Sequence, residues 1–220
     1  MKVSVVIPAY NEEKYIGKCL QSIAEQIDPP DEIIVVDNNC IDKTAEIAQK
    51  FGARIVKEEN QGMIYARNAG FNTAKYEIMG RIDADTVLPH DWVTKVKENF
   101  KDESLAAISG PIFFRNKKFY FTSIILFRFL SFFLMHNTLF GPNIALRKSA
   151  WEKIKNDVCL DGKKVHEDID LSIHIFKEGK IKFDRALVVE ASRVRFGQLF
   201  TEYAVRFAKM VFAHRKIILQ

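Results

Sequence analysis

Two aspartates separated by one residue are the clearest candidates for chemistry in this sequence. Asp83 and Asp85, with the small Ala84 between them, end a predicted strand over 77–83 and precede a loop. Residues i and i+2 of an extended chain share one face, so both carboxylates would point the same way. Two hard oxygen ligands suit Mg²⁺ or Mn²⁺, which takes further ligands from water and substrate phosphates. An isolated acidic pair in a surface loop is the alternative.

A second candidate carboxylate, Asp37, ends the apolar run EIIVVD. It could accept a hydrogen bond from the imide N–H of a nucleotide base. The aromatic ring of Tyr10, which follows the first predicted strand, could lie against the face of that base. The alternative role for Asp37 is structural, because aspartate in this position often forms an Asx turn or caps the following helix.

A third acidic group lies at the start of a helix predicted over 166–180. Glu167, Asp168 and Asp170 all fall in its first turn. Carboxylates at a helix N-terminus are stabilised by the helix dipole, so charge complementarity alone could explain them.

The first hundred residues alternate short apolar runs with helical patterns, which predicts strands at 3–8, 32–37, 53–58 and 77–83 and helices at 13–26, 43–52 and 62–75. The strands are nearly all Val and Ile, which implies a mostly parallel sheet with helices on both faces. Ligands of such sheets bind beyond the carboxyl ends of the strands. That rule brings Tyr10, Glu12, Asp37, Asp83 and Asp85 to one edge.

The pattern changes after residue 105. A further strand is predicted in AAISGPIFF, and 119–135 is almost continuously apolar, with Arg128 at its centre. A central arginine opposes a membrane span, so a buried helix or an interfacial segment are the other possibilities. The end of the chain predicts a basic amphipathic helix, which suits either an anionic membrane surface or docking on the core.

Composition favours one folded domain. The chain has 220 residues, 48% of them hydrophobic, and a net charge of +5. Its three cysteines form no CxxC pair, which favours a reducing cytoplasm, and the N-terminus lacks the apolar run of a signal peptide.

Six motifs, in order from residue 3 to about 195, resemble glycosyltransferase family 2, the inverting nucleotide-sugar transferases of GT-A fold. They are VVIPAYNEE, VVDNNCIDKT, NQGMIYARNAG, IDADT, GPNIALRKSAW and HEDIDL. The resemblance implies a single GT-A domain over 1–220, with a Rossmann-like sheet, a nucleotide-sugar-binding half at 1–105 and a helical, membrane-proximal acceptor half at 106–220. Cys40 stands where the family usually has serine, which leaves Asp37 in place.

The resemblance also implies roles for individual residues. Those that would bind the donor are Pro8, Ala9, Tyr10, Glu12, Asp37, Arg67, Asp83, Ala84 and Asp85. Asp83 would face the ribose and Asp85 the Mg²⁺ or Mn²⁺ ion, with Asp83 as a second candidate ligand. Asp168 would be the general base, with Glu167 and Asn143 on the acceptor side and Arg147 near the pocket. Arg193 and Arg195 either reach the donor phosphates or lie on the surface.

The function expected is metal-assisted, inverting transfer of a sugar from a nucleotide diphosphate, with UDP favoured over GDP. The acceptor would be a glycan or a lipid-linked molecule at the inner face of the cell membrane. One alternative is a nucleotidyltransferase, although the chain lacks that class's glycine-rich basic N-terminal loop. The other is a non-catalytic nucleotide- or nucleic-acid-binding module, but crevice carboxylates would repel nucleic-acid phosphates, so no nucleic-acid partner is expected.

Overall fold

The structure is a computed structural model that describes residues 1–114, 125, 128–129 and 131–192. The predicted C-terminal helix, Arg193, Arg195 and most of 119–130 lie outside these residues. Ten strands occur in the described residues: β1 Val3–Ala9, β2 Glu32–Asp37, β3 Arg54–Lys57, β4 Ile78–Arg81, β5 Thr86–Val87, β6 Leu105–Ser109, β7 Ile112–Phe114, β8 Ile144–Arg147, β9 Lys180–Phe183 and β10 Val189–Ala191.

The helices whose bounds are described are α1 Ile16–Ala24, α2 Thr44–Lys50, α3 Met63–Thr73, α4 Trp92–Asn99, α5 Lys148–Ile154 and α6 Glu167–Phe176. The four helices predicted from the sequence, now α1, α2, α3 and α6, are confirmed, with ends that differ from prediction by one to four residues.

A seven-stranded sheet forms the centre of the molecule, in the order β3-β2-β1-β4-β8-β6-β9. β1 pairs in parallel with β2 and β4, and β8 runs antiparallel to both of its neighbours, β4 and β6. The mostly parallel sheet predicted from the sequence is therefore confirmed, with β8 as the strand of opposite direction.

Helices cover both faces of this sheet. Val5 and Ile7 of β1 pack with Leu20 of α1 in one apolar cluster, whereas Val6 packs with Phe71 of α3 in another. Alternate residues of one strand thus enter different cores, which is why the sequence needs apolar residues at consecutive positions. Each such fully buried side chain contributes about 1.5–3 kcal/mol.

Two predicted strands have different limits in the structure. The run 106–114 is not one strand, because it divides at Gly110 and Pro111 into β6 of the large sheet and β7 of a small sheet ordered β5-β10-β7. The strand predicted over 77–83 ends at Arg81, and Asp83 instead begins a turn in which its carbonyl accepts the N–H of Thr86 at 3.0 Å. The two aspartates are therefore brought together by a turn and not by an extended strand.

The apolar segment 119–135 is largely exposed where the structure describes it. Ile125, Phe129, Phe132, Phe133 and Met135 are 51–78% exposed, while Leu134 is buried. The buried-helix alternative does not describe these five side chains. None of the helices in the described part of the chain has both the length and the apolar character needed to cross a membrane.

Gly110 allows the chain to pass from one sheet to the other. A Cβ atom there would lie 1.9 Å from the carbonyl oxygen of Leu187. We expect Gly110→Ala to lower the free energy of unfolding by about 1–3 kcal/mol, because the obstructing atom belongs to the backbone.

Denaturant titration measures this change, and Gly17→Ala is the matched control. Gly17 lies in α1, and the nearest atom to a methyl group added there would be 3.8 Å away. Alanine should stabilise that helix by about 0.5–1 kcal/mol. An equal effect of the two substitutions would contradict the close approach at Gly110.

Candidate active site

A cavity of about 360 Å³, here called the strand-end cavity, opens beyond the carboxyl ends of β1 and β4. Seven residues predicted to bind a donor line it: Pro8, Ala9, Tyr10, Glu12, Asp83, Ala84 and Asp85. Its walls also include seven residues that sequence reasoning did not select: Asn38, Gln61, Gly62, Met63, Ala66, Pro142 and Ala191.

The turn after β1 is held by the loop after β2. Asn11 adopts a left-handed conformation with φ 54°, which asparagine tolerates better than most residues. Its side-chain oxygen accepts the N–H of Ile41 at 2.9 Å, and its own N–H donates to the Cys40 sulfur at 3.3 Å. This connection presents Tyr10, which is 53% exposed, at the rim of the cavity.

Asp37 adopts the structural role that the sequence left open. Its Oδ1 accepts the N–H of Cys40 at 2.8 Å, as in an Asx turn. Asp37 is not among the described residues that line the strand-end cavity, whereas its neighbour Asn38 is.

Asn38 organises the wall formed by residues 58–62. Its buried amide donates to the carbonyl oxygens of Glu58 and Asn60, and its side-chain oxygen accepts the N–H of Gly62 at 2.8 Å. Gly62 has φ 147°, a conformation that L side chains rarely adopt. The NQG run just before α3 was the sequence signal for this wall, since such a glycine marks a tight backbone turn.

The carboxylates of Asp83 and Asp85 are a suitable pair for a divalent ion. The described residues hold no group of three or more Asp, Glu, His or Cys side chains arranged around one point. Mg²⁺ commonly uses only one or two carboxylates and completes its shell with water and phosphate oxygens, so the pair fits that chemistry. Burial, and then the charges of Asp85 and Asp83, raise the pKa of the nearby Cys19 thiol.

Arg67, which was predicted to bind the donor, is not among the described residues that line the strand-end cavity. Its side chain is fully buried, with Nη1 donating to Glu167 Oε2 at 2.6 Å and two further nitrogens donating to Asn68. A buried guanidinium requires such partners because desolvation of an unpaired charge is costly.

Glu167 also forms an ion pair with a second buried arginine. Its Oε1 lies 3.1 Å from Arg81 Nη1, and Arg81 Nη2 lies 2.9 Å from Asp83 Oδ1. Burial disfavours the ionised form of Glu167, but Arg81 and Arg67 outweigh burial and hold the pKa of this carboxyl below its ordinary value.

Glu167 also lines a second depression, here called the α6 groove, with a volume of about 660 Å³. The groove lies between the start of α3 and residues 160–167. It shares Gln61, Gly62 and Met63 with the strand-end cavity. The predicted acceptor-side position of Glu167 therefore adjoins the predicted donor side.

Asp168 lies where α6 meets the 140–143 turn. Its Oδ2 accepts the N–H of Gly141 at 3.3 Å, and its Oδ1 accepts the N–H of Ile169 at 2.9 Å. Gly141 precedes Pro142, which lines the strand-end cavity. Burial, followed by the charge of Glu167, raises the pKa of Asp168 from 3.8 to about 6. A carboxylate with this pKa is ionised at neutral pH and is still a useful proton acceptor.

Asn143 and Arg147 both make structural contacts, and neither is among the described residues that line the strand-end cavity. Asn143 is fully buried; it accepts from Trp92 Nε1 at 2.9 Å and donates to the carbonyl of Leu187 at 2.6 Å. Arg147 donates to the carbonyl oxygens of Leu105 and Phe100. The GPNIALRKSAW motif is therefore not an open loop, because residues 144–147 form β8 in the middle of the sheet.

Comparison with known proteins identifies the family. The model of glycosyl transferase family 2 matches residues 4–153 of this chain. The chain belongs to glycosyl transferase family 2. This result confirms the resemblance of its motifs to that family.

Curated relatives agree with this assignment. Poly-beta-1,6-N-acetyl-D-glucosamine synthase of Staphylococcus epidermidis is 31% identical over 204 residues, covering 84% of this chain and 48% of the relative. Glycosyltransferase AglE of Haloferax volcanii is 32% identical over 120 residues, covering 51% of this chain and 40% of the relative. The chain thus spans less than half the length of either relative.

Solved structures share the fold. The mannosyltransferase PcManGT of Pyrobaculum calidifontis, in complex with GDP-Man and Mn²⁺, matches 100% of this chain and 64% of its own, with a TM-score of 0.75 and 23% identity. The glucosyl-3-phosphoglycerate synthase of Mycobacterium tuberculosis, with Mn²⁺, UDP and glucosyl-3-phosphoglycerate, matches 99% and 80%, with a TM-score of 0.67 and 21% identity. The expected GT-A fold is confirmed.

The raised pKa of Asp168 predicts a cost to stability. The folded protein binds this proton more tightly than the unfolded chain, so the stabilisation present below pH 3.8 is lost as pH rises through about 6. Asp168→Asn removes the charge and keeps one acceptor oxygen for Ile169, at the cost of the longer bond from Gly141. We expect it to raise the free energy of unfolding by about 2 kcal/mol at pH 8.

Denaturant titrations of both proteins at pH 8 and pH 4 check this prediction. The difference should shrink toward pH 4, where wild-type Asp168 is protonated. Asp161→Asn is a suitable control because Asp161 is paired with Lys164 and has a lowered pKa, so the substitution should not stabilise the protein. A destabilised Asp168→Asn variant at pH 8 would contradict the proposed environment.

Proposed function

We propose that this protein is an inverting glycosyltransferase that transfers a sugar from a nucleotide diphosphate to an acceptor hydroxyl, with Asp168 as the general base. The observation that supports this most is the convergence of three features at one edge of the sheet. The strand-end cavity contains Asp83 and Asp85, Gly141 next to that cavity donates to Asp168, and the α6 groove adjoins both.

The donor nucleotide would occupy the strand-end cavity. Tyr10 offers an exposed ring at its rim for stacking on a base, and Asn38 holds the facing wall. We favour UDP, with the imide N–H of uracil pairing with Asp37, whose neighbour Asn38 lines the cavity. GDP is the competing donor, since a carboxylate could equally bind the N1–H and N2–H groups of guanine.

The chain's own groups account for the acid–base part of the reaction. Asp168 would take the proton of the acceptor hydroxyl as that oxygen attacks the anomeric carbon in line with the leaving diphosphate. Asp85, with Asp83 as a second ligand, would hold Mg²⁺ or Mn²⁺. When bound, the ion supplies Lewis-acid stabilisation of the leaving group's charge. Asp83 also pairs with Arg81, at 2.9 Å, and Asp85 is proposed as the principal ligand.

The acceptor is proposed to be a glycan or a lipid-linked molecule presented at an anionic membrane surface, which the protein would contact peripherally on the cytoplasmic side. Phe129, Phe132, Phe133 and Met135 form an exposed apolar surface, with Arg128 also exposed beside them. Aromatic and basic residues together favour the interface of an anionic bilayer. The net charge of +5 favours the same surface.

Loss of the proposed metal ligand should abolish turnover. We expect Asp85→Asn to lower kcat for release of UDP or GDP from a nucleotide sugar at least about a hundredfold in Mn²⁺, because the leaving diphosphate is left unstabilised. Product analysis on a panel of UDP- and GDP-sugars measures it, and pyrophosphate release instead would indicate a nucleotidyltransferase.

Asp91→Asn is the matched control for this experiment. Asp91 is an exposed carboxylate paired with Lys95, away from the cavity. Its substitution should leave turnover unchanged. An Asp85→Asn variant that turns over normally would show that the metal assignment is wrong.

Removal of exposed aromatic rings should weaken membrane binding. We expect the double variant Phe129→Ser, Phe132→Ser to bind phosphatidylglycerol vesicles at least about fivefold more weakly, because both rings would lose their burial in the interface. Cosedimentation measures this. Ile27→Ser, at a position that is 76% exposed outside this surface, should bind like the wild type. Equal binding by all three proteins would contradict the membrane contact.

A further inference from the structure

Two arginines in this protein are removed from solvent, and one carboxylate pairs with both. Arg67 and Arg81 are 0% and 1% exposed. Glu167 places Oε2 at 2.6 Å from Arg67 Nη1 and Oε1 at 3.1 Å from Arg81 Nη1. Breaking such a buried pair is costly because it leaves an uncompensated charge. Glu167 is therefore held in one orientation from two sides.

Arg81 differs from Arg67 in reaching a second carboxylate. Arg81 Nη2 lies 2.9 Å from Oδ1 of Asp83. Asp83 lines the strand-end cavity and Glu167 lines the α6 groove. A planar guanidinium can hold two carboxylates at a fixed angle, which the point charge of a lysine cannot do. Arg81 is thus a direct ionic link between the two depressions.

The backbone around the guanidinium fixes it further. A Cβ atom on Gly141 would lie 2.1 Å from Arg81 Nη1, so a larger residue there would displace the guanidinium group. The N–H of the same glycine donates to Asp168. The position of Arg81 and the orientation of Asp168 consequently depend on one short turn.

We infer that Arg81 is a positioning residue that orients Asp83 toward the nucleotide and, through Glu167, fixes the first turn of α6 that carries Asp168. This inference rests on the proposed function. It implies that nucleotide binding in the strand-end cavity is coupled to the charge of Glu167 in the α6 groove. When Glu167 loses its charge, Arg81 loses the carboxylate that holds it on the α6 side, and the orientation that it gives to Asp83 is no longer fixed.

The first test compares two buried arginines that share Glu167. Isothermal titration with UDP and with GDP, each with and without Mn²⁺, gives the affinity. We expect Arg81→Lys to raise Kd at least about fivefold, because an ammonium group cannot hold Asp83 and Glu167 together. Arg67→Lys should stay within about twofold of the wild type, because Arg67 has no ion pair with Asp83 among the described residues. Equal shifts in the two variants would indicate a general structural effect and overturn the inference.

Steady-state kinetics separate the same two variants. Arg81→Lys should raise KM for the nucleotide sugar and lower kcat, whereas Arg67→Lys should lower kcat alone. Circular dichroism and melting temperatures confirm that each variant is folded at the assay temperature.

The second test leaves both arginines intact, so it stands even where Arg81→Lys fails to fold. Glu167 is not among the described residues that line the strand-end cavity. Glu167→Gln should nevertheless raise Kd for the nucleotide with Mn²⁺ at least about threefold, because Arg81 then loses its ion pair on the α6 side and no longer fixes the orientation of Asp83. Asp161→Asn removes another carboxylate of the α6 groove that pairs only with Lys164 among the ion pairs of the described residues, and it should leave Kd unchanged.

The outcomes distinguish this inference from the proposed function. A Glu167→Gln variant with wild-type Kd would overturn the inferred role of Arg81 and leave the proposed function standing. A wild-type protein that binds neither UDP nor GDP would overturn the proposed function, and the inference with it.

Discussion

The buried chain of charges from Asp83 through Arg81 and Glu167 to Arg67 is the interaction on which the rest of the site depends. Acidic residues from the turn after β4 and from α6 converge here, and their mutual repulsion would separate these elements without the two guanidinium groups. The arginines are therefore the internal counter-ions of an acidic crevice. They allow carboxylates on remote parts of the chain to remain ionised and ordered within one small region.

Strand pairing explains how this chain of charges is assembled. β8 pairs antiparallel with β4 in a register that sets Ile144 opposite Arg81. The turn at 141–143 must then lie against the Arg81 side chain, and Gly141 leaves room for it. Asn143 joins this turn to Trp92 and Leu187 through buried hydrogen bonds. The GPNIALRKSAW motif resembles a substrate loop in the sequence, but its residues 143–146 pack within the core and support the site.

Asp168 shows the cost of building such a site. Its carboxyl is largely removed from water beside Glu167. Desolvation and then the charge of Glu167 raise its pKa to about 6, while Arg81 and the backbone N–H groups of Gly141 and Ile169 limit the rise. Environments that destabilise an ionised group are common where proton transfer is required. The same burial that makes this carboxylate a proposed base therefore makes it a poor contributor to stability at neutral pH.

The sequence alone determined the alternating strands and helices, the family, and the seven predicted residues that line the strand-end cavity, because these follow from local periodicity and from short contiguous motifs. Tertiary structure decided which polar residues face inward. The sequence suggested Arg67 and Asn143 as ligand-binding residues, yet both are buried. Their hydrogen-bond partners, Glu167 and Leu187, are distant in the chain, so the sequence did not reveal these contacts. Local patterns do not specify such pairings, because they join residues 100 and 44 positions apart in the chain.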